Sequence, residues 1–174
     1  MMSIDGAGMP DGWVRLWAPH RLEYLRGENR PLESNEIECP FCRIPSLSDE
    51  EGLVVHRGTS AFVVMNLYPY NPGHLLVCAY RHLADLTELT ADERSEITEL
   101  TAHAMATIRK VSAPDGFNLG MNQGAVSGAG IAEHIHQHIV PRWSGDANFM
   151  PIIGRTKVLP QLLTLTRDEI AAAW

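Results

Sequence analysis

The sequence predicts a single α+β domain, and three observations carry this prediction. Short apolar runs separated by turn residues indicate several β-strands. One long segment has both the start signal and the apolar spacing of an α-helix. No internal repeat and no linker divides the chain of 174 residues, so we expect one domain over residues 13–174, preceded by a flexible N-terminus over residues 1–12.

The strands are predicted from their apolar runs and from the turns between them. Residues 52–56 and 61–66 flank a short polar turn, as in a β-hairpin. Residues 74–80 form the next apolar run, after a turn over residues 68–73 that is rich in Pro, Asn and Gly. Residues 117–122 alternate between apolar and small or polar side chains, which indicates a further strand.

The long helix is predicted over residues 91–111. Thr90 and Glu93 match the capping-box pattern at its start, and apolar side chains follow at helical spacing. A shorter helix is expected over residues 158–173, and short helical segments are expected between residues 13 and 25, where a proline would interrupt one continuous helix.

The composition excludes several classes of function. The chain is 45% hydrophobic and 20% charged, as in ordinary globular proteins. Its 14 Lys and Arg against 21 Asp and Glu give a formal net charge of −7, which argues against nucleic acid as a partner. No apolar run is long enough to span a bilayer, and the first residues lack a signal-peptide pattern. We therefore expect a cytoplasmic protein without a membrane partner.

Three histidines at alternate positions are the sequence feature most informative about function. His134, His136 and His138 are separated by single residues. Residues i, i+2 and i+4 of a β-strand share one face, so the three imidazoles are predicted to form a row. Near neutral pH an imidazole can act as a nucleophile, a proton carrier or a metal ligand. The row therefore indicates a site in which the three histidines divide these roles.

Cys39 and Cys42 form a CxxC motif for which three interpretations are open: a zinc site, a redox site, or no special role. A redox motif of the glutaredoxin type needs a preceding strand and a long helix that starts at the first cysteine. Pro45 follows too soon for such a helix. A zinc site needs two more nitrogen or sulfur ligands, which His82 and His134 can provide.

The remaining candidate residues give weaker signals on their own. The small-residue loop 124–130 matches neither common phosphate-binding glycine motif, but beside the histidines its backbone N–H groups could approach a phosphate closely. Asn66 and Asn122 end apolar strands, where asparagine usually forms a turn. Cys78 stands alone in an apolar run and is expected to be a small buried side chain.

Taken together, these segments resemble a known family. Residues 134–140 are similar to the His-φ-His-φ-His-φ-φ signature of the histidine triad superfamily of nucleotidyl hydrolases and transferases, where φ is an apolar residue. Residues 65–77, which include Pro-Gly-His, and residues 117–122 are similar to further segments of that superfamily. Residues 17–21 and parts of 145–160 are similar to its bacterial diadenosine tetraphosphate phosphorylase-like branch.

The resemblance implies a fold and an assembly. We expect a five-stranded antiparallel sheet with one long helix and shorter helices, and a homodimer in which the sheet continues across the interface. Two residues depart from the family pattern. Gln137 stands where the signature has an apolar residue, and we expect it on the face opposite the imidazoles. Gly130 occupies the place of a loop hydroxyl that is associated with the phosphorylase branch.

The resemblance also implies a role for each candidate residue. His136 would be the nucleophile, which holds a nucleoside monophosphate as a covalent phosphoramidate, and His138 would contact the phosphate. A structural zinc would be held by Cys39, Cys42, His82 and His134. Further nucleotide contacts would come from Asn66 at the ribose and, at the phosphate, from Asn122, Gly128, Ala129, Gly130 and Ile131.

The implied function is the cleavage of dinucleoside polyphosphates, in which diadenosine tetraphosphate and inorganic phosphate give ADP and ATP. A hydrolase of dinucleoside polyphosphates, or of nucleoside phosphoramidates or adenylates, is an alternative that shares the same intermediate. A non-catalytic nucleotide-binding module is a second alternative. The sequence does not decide which group leaves and which group accepts the nucleotide.

Overall fold

The computed structural model describes residues 39–146 and 159–174. Within these ranges, five strands form one antiparallel sheet with the order β1-β2-β3-β5-β4. The strands are β1 (Val54–Arg57), β2 (Ala61–Met65), β3 (Leu75–Ala79), β4 (Gly116–Met121) and β5 (His136–Arg142). The helices are α1 (Pro40–Arg43), α2 (Ala91–Ser112) and α3 (Leu163–Ala172). The predicted α+β class and the five-stranded antiparallel sheet are confirmed.

Helix α2 begins and ends at residues with clear local signals. Thr90 Oγ1 accepts the N–H of Glu93 at 3.2 Å, and the Glu93 carboxylate accepts the N–H of Thr90 at 2.7 Å. Because the first turn of a helix leaves N–H groups without partners, this reciprocal pair stabilises the start. At the other end, Ala113 has a left-handed backbone with a φ of 43°, which stops the helix. The predicted capping box is confirmed.

Helix α3 is shorter than predicted. The prediction placed its start at residue 158, whereas the helix begins at Leu163, after Leu162 in an extended conformation with a ψ of 146°. Pro160 explains part of this difference, because a proline disfavours the helical conformation in the residue before it.

Several predictions concern residues outside the described ranges. They are the flexible N-terminus over residues 1–12 and the helical segments between residues 13 and 25. The domain boundary after residue 12 therefore stays a prediction. In the described parts of the chain, no helix is long and apolar enough to cross a membrane.

The sheet buries an apolar layer on each of its two faces. On one face, Val63, Val77 and Ile139 pack in a cluster with side chains of α2 such as Ile97 and Ile108. Each of these side chains is at least nine-tenths buried. Burial of such a side chain contributes about 1.5–3 kcal/mol, so this layer is a main source of stability.

The second layer lies on the opposite face and extends toward the histidines. Its members are Phe41, Phe62, Val64, Leu76 and Cys78. Cys78 is completely buried, which confirms its predicted role as a small apolar side chain. Cys78 is paired with His136 across β3 and β5. Directly opposite residues of an antiparallel pair share a face, so His136 lies beside this layer.

Candidate active site and metal cluster

The three histidines are all buried, but only two of them belong to strand β5. His134 is 0% exposed, His136 6% and His138 9%. The strand begins at His136, and the preceding Ile135 donates its N–H to the carbonyl of Leu83 at 2.7 Å instead of joining the sheet. The predicted single row therefore divides, because His134 lies before the strand while His136 and His138 lie on it.

His134 lies among the other three residues that were predicted to bind zinc. One ligand atom from each of Cys39, Cys42, His82 and His134 falls within 4.8 Å of the other three. The Nδ1 atom of His134 is 3.3 Å from the sulfur of Cys39 and 3.5 Å from that of Cys42, and His82 Nδ1 is 3.2 Å from the Cys42 sulfur. Tetrahedral zinc would set this nitrogen–sulfur separation at about 3.5 Å. The four residues fit such an ion.

The protonation of His134 also suits a metal ligand. Its Nε2 is 2.8 Å from the carbonyl oxygen of Ala79, which can only accept a hydrogen bond, so Nε2 carries the proton in the neutral ring. Nδ1 then presents its lone pair to the cysteine side. Burial raises the pKa of Cys39, but hydrogen bonds with His134 and with backbone N–H groups outweigh it and lower the pKa to about 6. The thiolate is the form of cysteine that binds metals.

Helix α1 explains how two cysteines reach the same place. It is a single turn in which the carbonyl of Cys39 accepts the N–H of Cys42 at 3.0 Å and that of Arg43 at 3.1 Å. Residues three apart lie on one side of a helical turn, so both thiols face His134. Pro40 suits this place because its fixed backbone angle favours the first position of a helix. This helix was not predicted from the sequence.

His136 is held in one tautomer. Its Nδ1 is 2.8 Å from the carbonyl oxygen of His134, so Nδ1 donates and, in the neutral ring, Nε2 keeps its lone pair. Burial lowers the pKa of His136, and the nearby His134 lowers it further, although the hydrogen bond to the carbonyl acts in the opposite direction. A neutral imidazole with a lone pair on Nε2 is a nucleophile.

His138 is oriented by a fourth histidine, His74, which was not predicted to belong to the site. His74 Nδ1 accepts the N–H of Tyr70 at 3.0 Å, so His74 Nε2 carries the proton and donates to His138 Nδ1 at 2.9 Å. The neutral His138 then has its own proton on Nε2, where it can donate to a ligand. Burial lowers the pKa of His138 to about 4, with a contribution from His136, so His138 is neutral near pH 7.

The signal for His74 was present in the sequence. It is the histidine of the Pro-Gly-His segment and directly precedes β3, and Leu75, the first residue of β3, pairs with Ile139 next to His138. Tyr70 also belongs to the site, because its ring stacks on His138 with centroids 5.6 Å apart and planes 13° from parallel.

A network of hydrogen bonds connects the end of β5 with the turn that precedes His74. Asn71 donates to the Pro141 carbonyl at 3.0 Å and to the Asp146 carboxylate at 2.7 Å. Arg142 binds both carboxylate oxygens of Asp146, at 2.6 and 2.8 Å, and its third nitrogen donates to Asn118 Oδ1 at 2.7 Å. The hydrogen bonds from Arg142 hold the pKa of Asp146 far below its usual range. Asp146 thus joins two parts of the chain beside His138.

Residues 49–145 match the family model described as the HIT domain. The chain belongs to the HIT domain family. It is 50% identical over 172 residues, covering 97% of this chain and 88% of the relative, to a Mycobacterium tuberculosis protein named AP-4-A phosphorylase. The HIT domain match leaves Cys39 and Cys42 outside its range, although the fold brings both to His134.

Solved structures of the same fold extend the comparison. A hypothetical histidine triad nucleotide-binding protein from Sulfolobus tokodaii covers 78% of this chain and 91% of its own, with 26% identity and a TM-score of 0.64. A Zn-bound histidine triad family protein from Mycobacterium smegmatis covers 78% and 92%, with 22% identity and a TM-score of 0.62. The similarity to the second structure shows the HIT fold alone.

Two predicted nucleotide contacts differ in their surroundings. Asn66 Oδ1 accepts the N–H of Tyr68 at 2.9 Å, and Asn66 Nδ2 lies 3.3 Å from His74 Nδ1, so this side chain shapes the turn. Asn122 lines a cleft of about 430 Å³ together with His138, Tyr70 and Arg142. Asn122 and His138 thus line the same cleft. The role of Asn66 at a ribose stays a prediction.

The glycine-rich loop of the HIT domain leads into this site. Gly128 has a φ of 83°, a left-handed conformation that favours glycine. Gly128 and Ala129 are buried and Gly130 is exposed. Ile131 packs against the apolar layer that contains Phe41, which anchors the end of the loop.

Gln137 lies where its alternation with the histidines predicts. It is paired with Val77 on one side and with Met121 on the other, both of which pack in the cluster under α2. Its Nε2 donates to the carbonyl of His138 at 2.9 Å. The half-buried amide therefore keeps a hydrogen bond on the helix-covered face of the sheet, away from the imidazoles.

Proposed function

We propose that this HIT protein is a nucleotidyl transferase that cleaves dinucleoside polyphosphates, with diadenosine tetraphosphate and inorganic phosphate giving ADP and ATP. The observation that carries the proposal is the fixed tautomer of His136, whose Nδ1 is bound to the His134 carbonyl and whose Nε2 keeps a lone pair. The 50% identity to a protein named AP-4-A phosphorylase, over nearly the whole chain, supports the substrate class and phosphorolysis.

The reaction has two steps that balance. In the first, His136 Nε2 attacks an α-phosphorus, a nitrogen–phosphorus bond forms, and the bond from that phosphorus to the bridging oxygen breaks, so ATP leaves. In the second, an oxygen of inorganic phosphate attacks the same phosphorus, the nitrogen–phosphorus bond breaks, and ADP leaves. The imidazole gains positive charge in the covalent intermediate, and the carbonyl of His134 stabilises this charge by accepting the hydrogen bond that Nδ1–H donates.

His138 supplies a donor to the phosphate in this proposal. The chain of hydrogen bonds from Tyr70 N–H through His74 leaves the neutral His138 with a proton on Nε2. Donors that are oriented in advance stabilise charge that develops in the transition state. Further contacts would come from Asn66 at the ribose and, at the phosphate, from Asn122 and the backbone of Gly128, Ala129, Gly130 and Ile131.

The cysteine–histidine cluster would hold a structural zinc. The nitrogen–sulfur distances of 3.2–3.5 Å and the hydrogen bond from His134 Nε2 to Ala79 support this proposal. A zinc bound by Cys39, Cys42, His82 and His134 has no open position, so it would crosslink the chain and would supply no step of the reaction.

The edge of the sheet supports a homodimer. Strand β4 is the last in the order of the sheet, and its residues Asn118, Leu119 and Gly120 are exposed, Leu119 to 48%. An exposed edge offers backbone groups that can pair with a second copy of the chain. Light scattering of the purified protein is expected to give twice the mass of the 19.3 kDa chain.

A phosphate-dependence assay tests the proposed function. Purified protein is incubated with diadenosine tetraphosphate, with and without inorganic phosphate, and the products are separated. ADP and ATP that appear only with phosphate support the phosphorylase. AMP and ATP in equal amounts with or without phosphate would instead show a hydrolase, in which water accepts the nucleotide.

Two variants test the covalent step. His136→Ala is expected to lower kcat by at least about 10³-fold, because removal of a nucleophile removes the intermediate. His103→Ala is the matched control, since His103 lies on α2 and stacks on Trp174 instead of the triad. Nucleotide binding without any turnover in the wild type would favour a binding module.

A further inference from the structure

We propose that Phe41 is a positioning residue for His136, and that the CxxC turn holds its ring against that imidazole. This inference rests on the proposed role of His136 as the nucleophile. Phe41 lies between the two cysteines of the motif and is only 7% exposed. Phe41 lies within the CxxC motif, but its ring also contacts His136 of the candidate active site.

The ring contacts place Phe41 between the cluster and the nucleophile. Its centroid is 4.9 Å from that of His136, with planes inclined by 48°, and 5.5 Å from that of His134, in an edge-to-face arrangement at 69°. Aromatic pairs at these separations attract each other. A single side chain thus contacts both the metal-cluster histidine and the proposed nucleophile.

His136 needs such a contact because its hydrogen bond fixes only one atom. The bond from Nδ1 to the His134 carbonyl sets the tautomer, but an imidazole held at one nitrogen can still swing about that point. A second contact, from the Phe41 ring at 4.9 Å, restricts this movement. A displacement of about 1 Å at a reacting group can cost about 100-fold in rate, so the direction of Nε2 matters.

The position of Phe41 is in turn set by its neighbours in the chain. Helix α1 has only four residues, and the carbonyl of Cys39 accepts the N–H of both Cys42 and Arg43. Whatever fixes the two thiols also fixes the backbone that carries Phe41. The structure therefore connects the Cys39–Cys42 turn to His136 through one buried ring.

Phe62 provides a matched control. It belongs to the same apolar layer and is 1% exposed, but the ring that it contacts is Tyr80, at 5.3 Å. Among the described residues, no ring contact joins Phe62 to a triad histidine. Phe62→Leu and Phe41→Leu thus remove the same group from the same layer, and only Phe41→Leu removes the ring against His136.

The test compares these variants by steady-state kinetics, bound zinc and NMR of the His136 ring. Phe41→Leu is expected to lower kcat about tenfold while KM stays within about twofold, because orientation acts on the chemical step. Bound zinc stays at the wild-type level. The carbon-bound ring protons of His136 shift, because the aromatic ring beside them is gone. Phe62→Leu leaves kcat within about twofold and the His136 resonances in place, whatever it does to stability.

Two results would overturn the proposal: a kcat of Phe41→Leu within about twofold of wild type, whatever the His136 resonances do, or a loss of kcat that follows a loss of zinc in proportion. Phe41→Tyr keeps the ring and is expected to retain wild-type values, and Phe41→Met replaces Phe41→Leu if the latter does not fold. The NMR arm needs no substrate. A wild-type protein that fails to cleave dinucleoside polyphosphates would refute the proposed function, whereas the His136 resonances of Phe41→Leu would still show whether the Phe41 ring lies against that imidazole.

Discussion

The two ends of the histidine strand are held by different kinds of chemistry. Before β5, His134 lies with its Nδ1 within 3.5 Å of two cysteine sulfurs. After the triad, Arg142 binds both oxygens of Asp146, and Asn71 joins the same carboxylate. The first end is a cluster of sulfur and nitrogen atoms that fits a metal ion, whereas the second is an ion pair with hydrogen bonds inside the chain.

The two ends therefore support different histidines of the site. The sulfur and nitrogen ligands surround His134, which precedes the strand, and the ionic network supports the turn that carries His74 and thereby His138. His136 lies between them and depends on both ends: its Nδ1 is bound to the carbonyl of His134, and its ring lies 4.9 Å from that of His138. Changes at the network end should therefore affect catalysis and leave metal content unchanged, whereas changes at the cluster end should affect both.

The largest expected effect is on the cluster end. Cys42→Ser is expected to lose bound zinc and to lower Tm by roughly 10 °C or more, because a structural zinc contributes many kcal/mol to folding. Metal analysis and thermal unfolding measure both effects. Cys78→Ala is the control, since Cys78 is buried outside the cluster and its removal should leave zinc in place. Full zinc occupancy in Cys42→Ser would refute the proposed ligand set.

At the network end, Asp146→Ala is expected to act on catalysis instead of metal content. The change leaves Arg142 and Asn71 without their shared acceptor, loosens the turn that carries His74, and should lower kcat about tenfold through His138. Loss of these hydrogen bonds should cost about 2 kcal/mol in unfolding free energy. Kinetics, zinc analysis and urea unfolding measure the three quantities.

Asp168→Ala is the matched control for Asp146→Ala. Asp168 is the mostly exposed partner of Arg167 in helix α3, so its removal should leave kcat unchanged. If Asp146→Ala lost zinc as readily as it lost activity, the network would also support the metal cluster, and the two ends would not be independent.

A smaller effect concerns the charge of His138. Its pKa of about 4 lies below the unfolded value of about 6.5, so the unfolded chain binds this proton more readily. The stability due to neutral His138 is complete above pH 6.5 and is lost as pH falls from 6.5 toward 4. Protonation would also put two donors, His74 Nε2 and His138 Nδ1, against each other. NMR titration of the His138 ring, assigned with His138→Asn, should show a neutral ring at pH 5.5; a midpoint near 6.5 would contradict this.

The sequence predicted the cluster end better than the network end, for a physical reason. Metal-binding side chains are few and distinctive, so Cys39, Cys42, His82 and His134 could be named before their contacts were known. Alternation also placed Gln137 correctly and kept His136 and His138 on one face. It did not show that His134 precedes the strand, because that depends on the hydrogen bond from Ile135 to Leu83 in a distant loop.

The network end is composed of residues that have common structural uses. Asparagine, arginine and aspartate are common in turns and on the surfaces of most proteins. The spacing of Asn71, Arg142 and Asp146 in the sequence does not indicate that they contact each other. Asn71 lies 70 or more positions before its partners Pro141 and Asp146. Arg142 and Asp146 are only four positions apart, but they lie at the end of a strand, where no periodic pattern pairs them. Helix α1 was missed because one turn is too short for a periodic pattern. Local sequence patterns thus identified the metal-binding and triad residues, whereas the contacts that hold these residues in place depend on the tertiary fold.

The smallest expected effect tests the face of β5 that belongs to neither end. Gln137 departs from the apolar signature, yet its side chain lies between Val77 and Met121, away from the imidazoles. Gln137→Leu removes the hydrogen bond to the His138 carbonyl but gains apolar burial, so the unfolding free energy should change by less than about 1 kcal/mol. Urea unfolding measures this change, and kcat should stay within about twofold of wild type, because neither ring of the pair moves. A tenfold loss of kcat would show instead that the amide fixes the backbone of His138, and control of that histidine would then extend from the Asp146 network to the helix-covered face of the sheet.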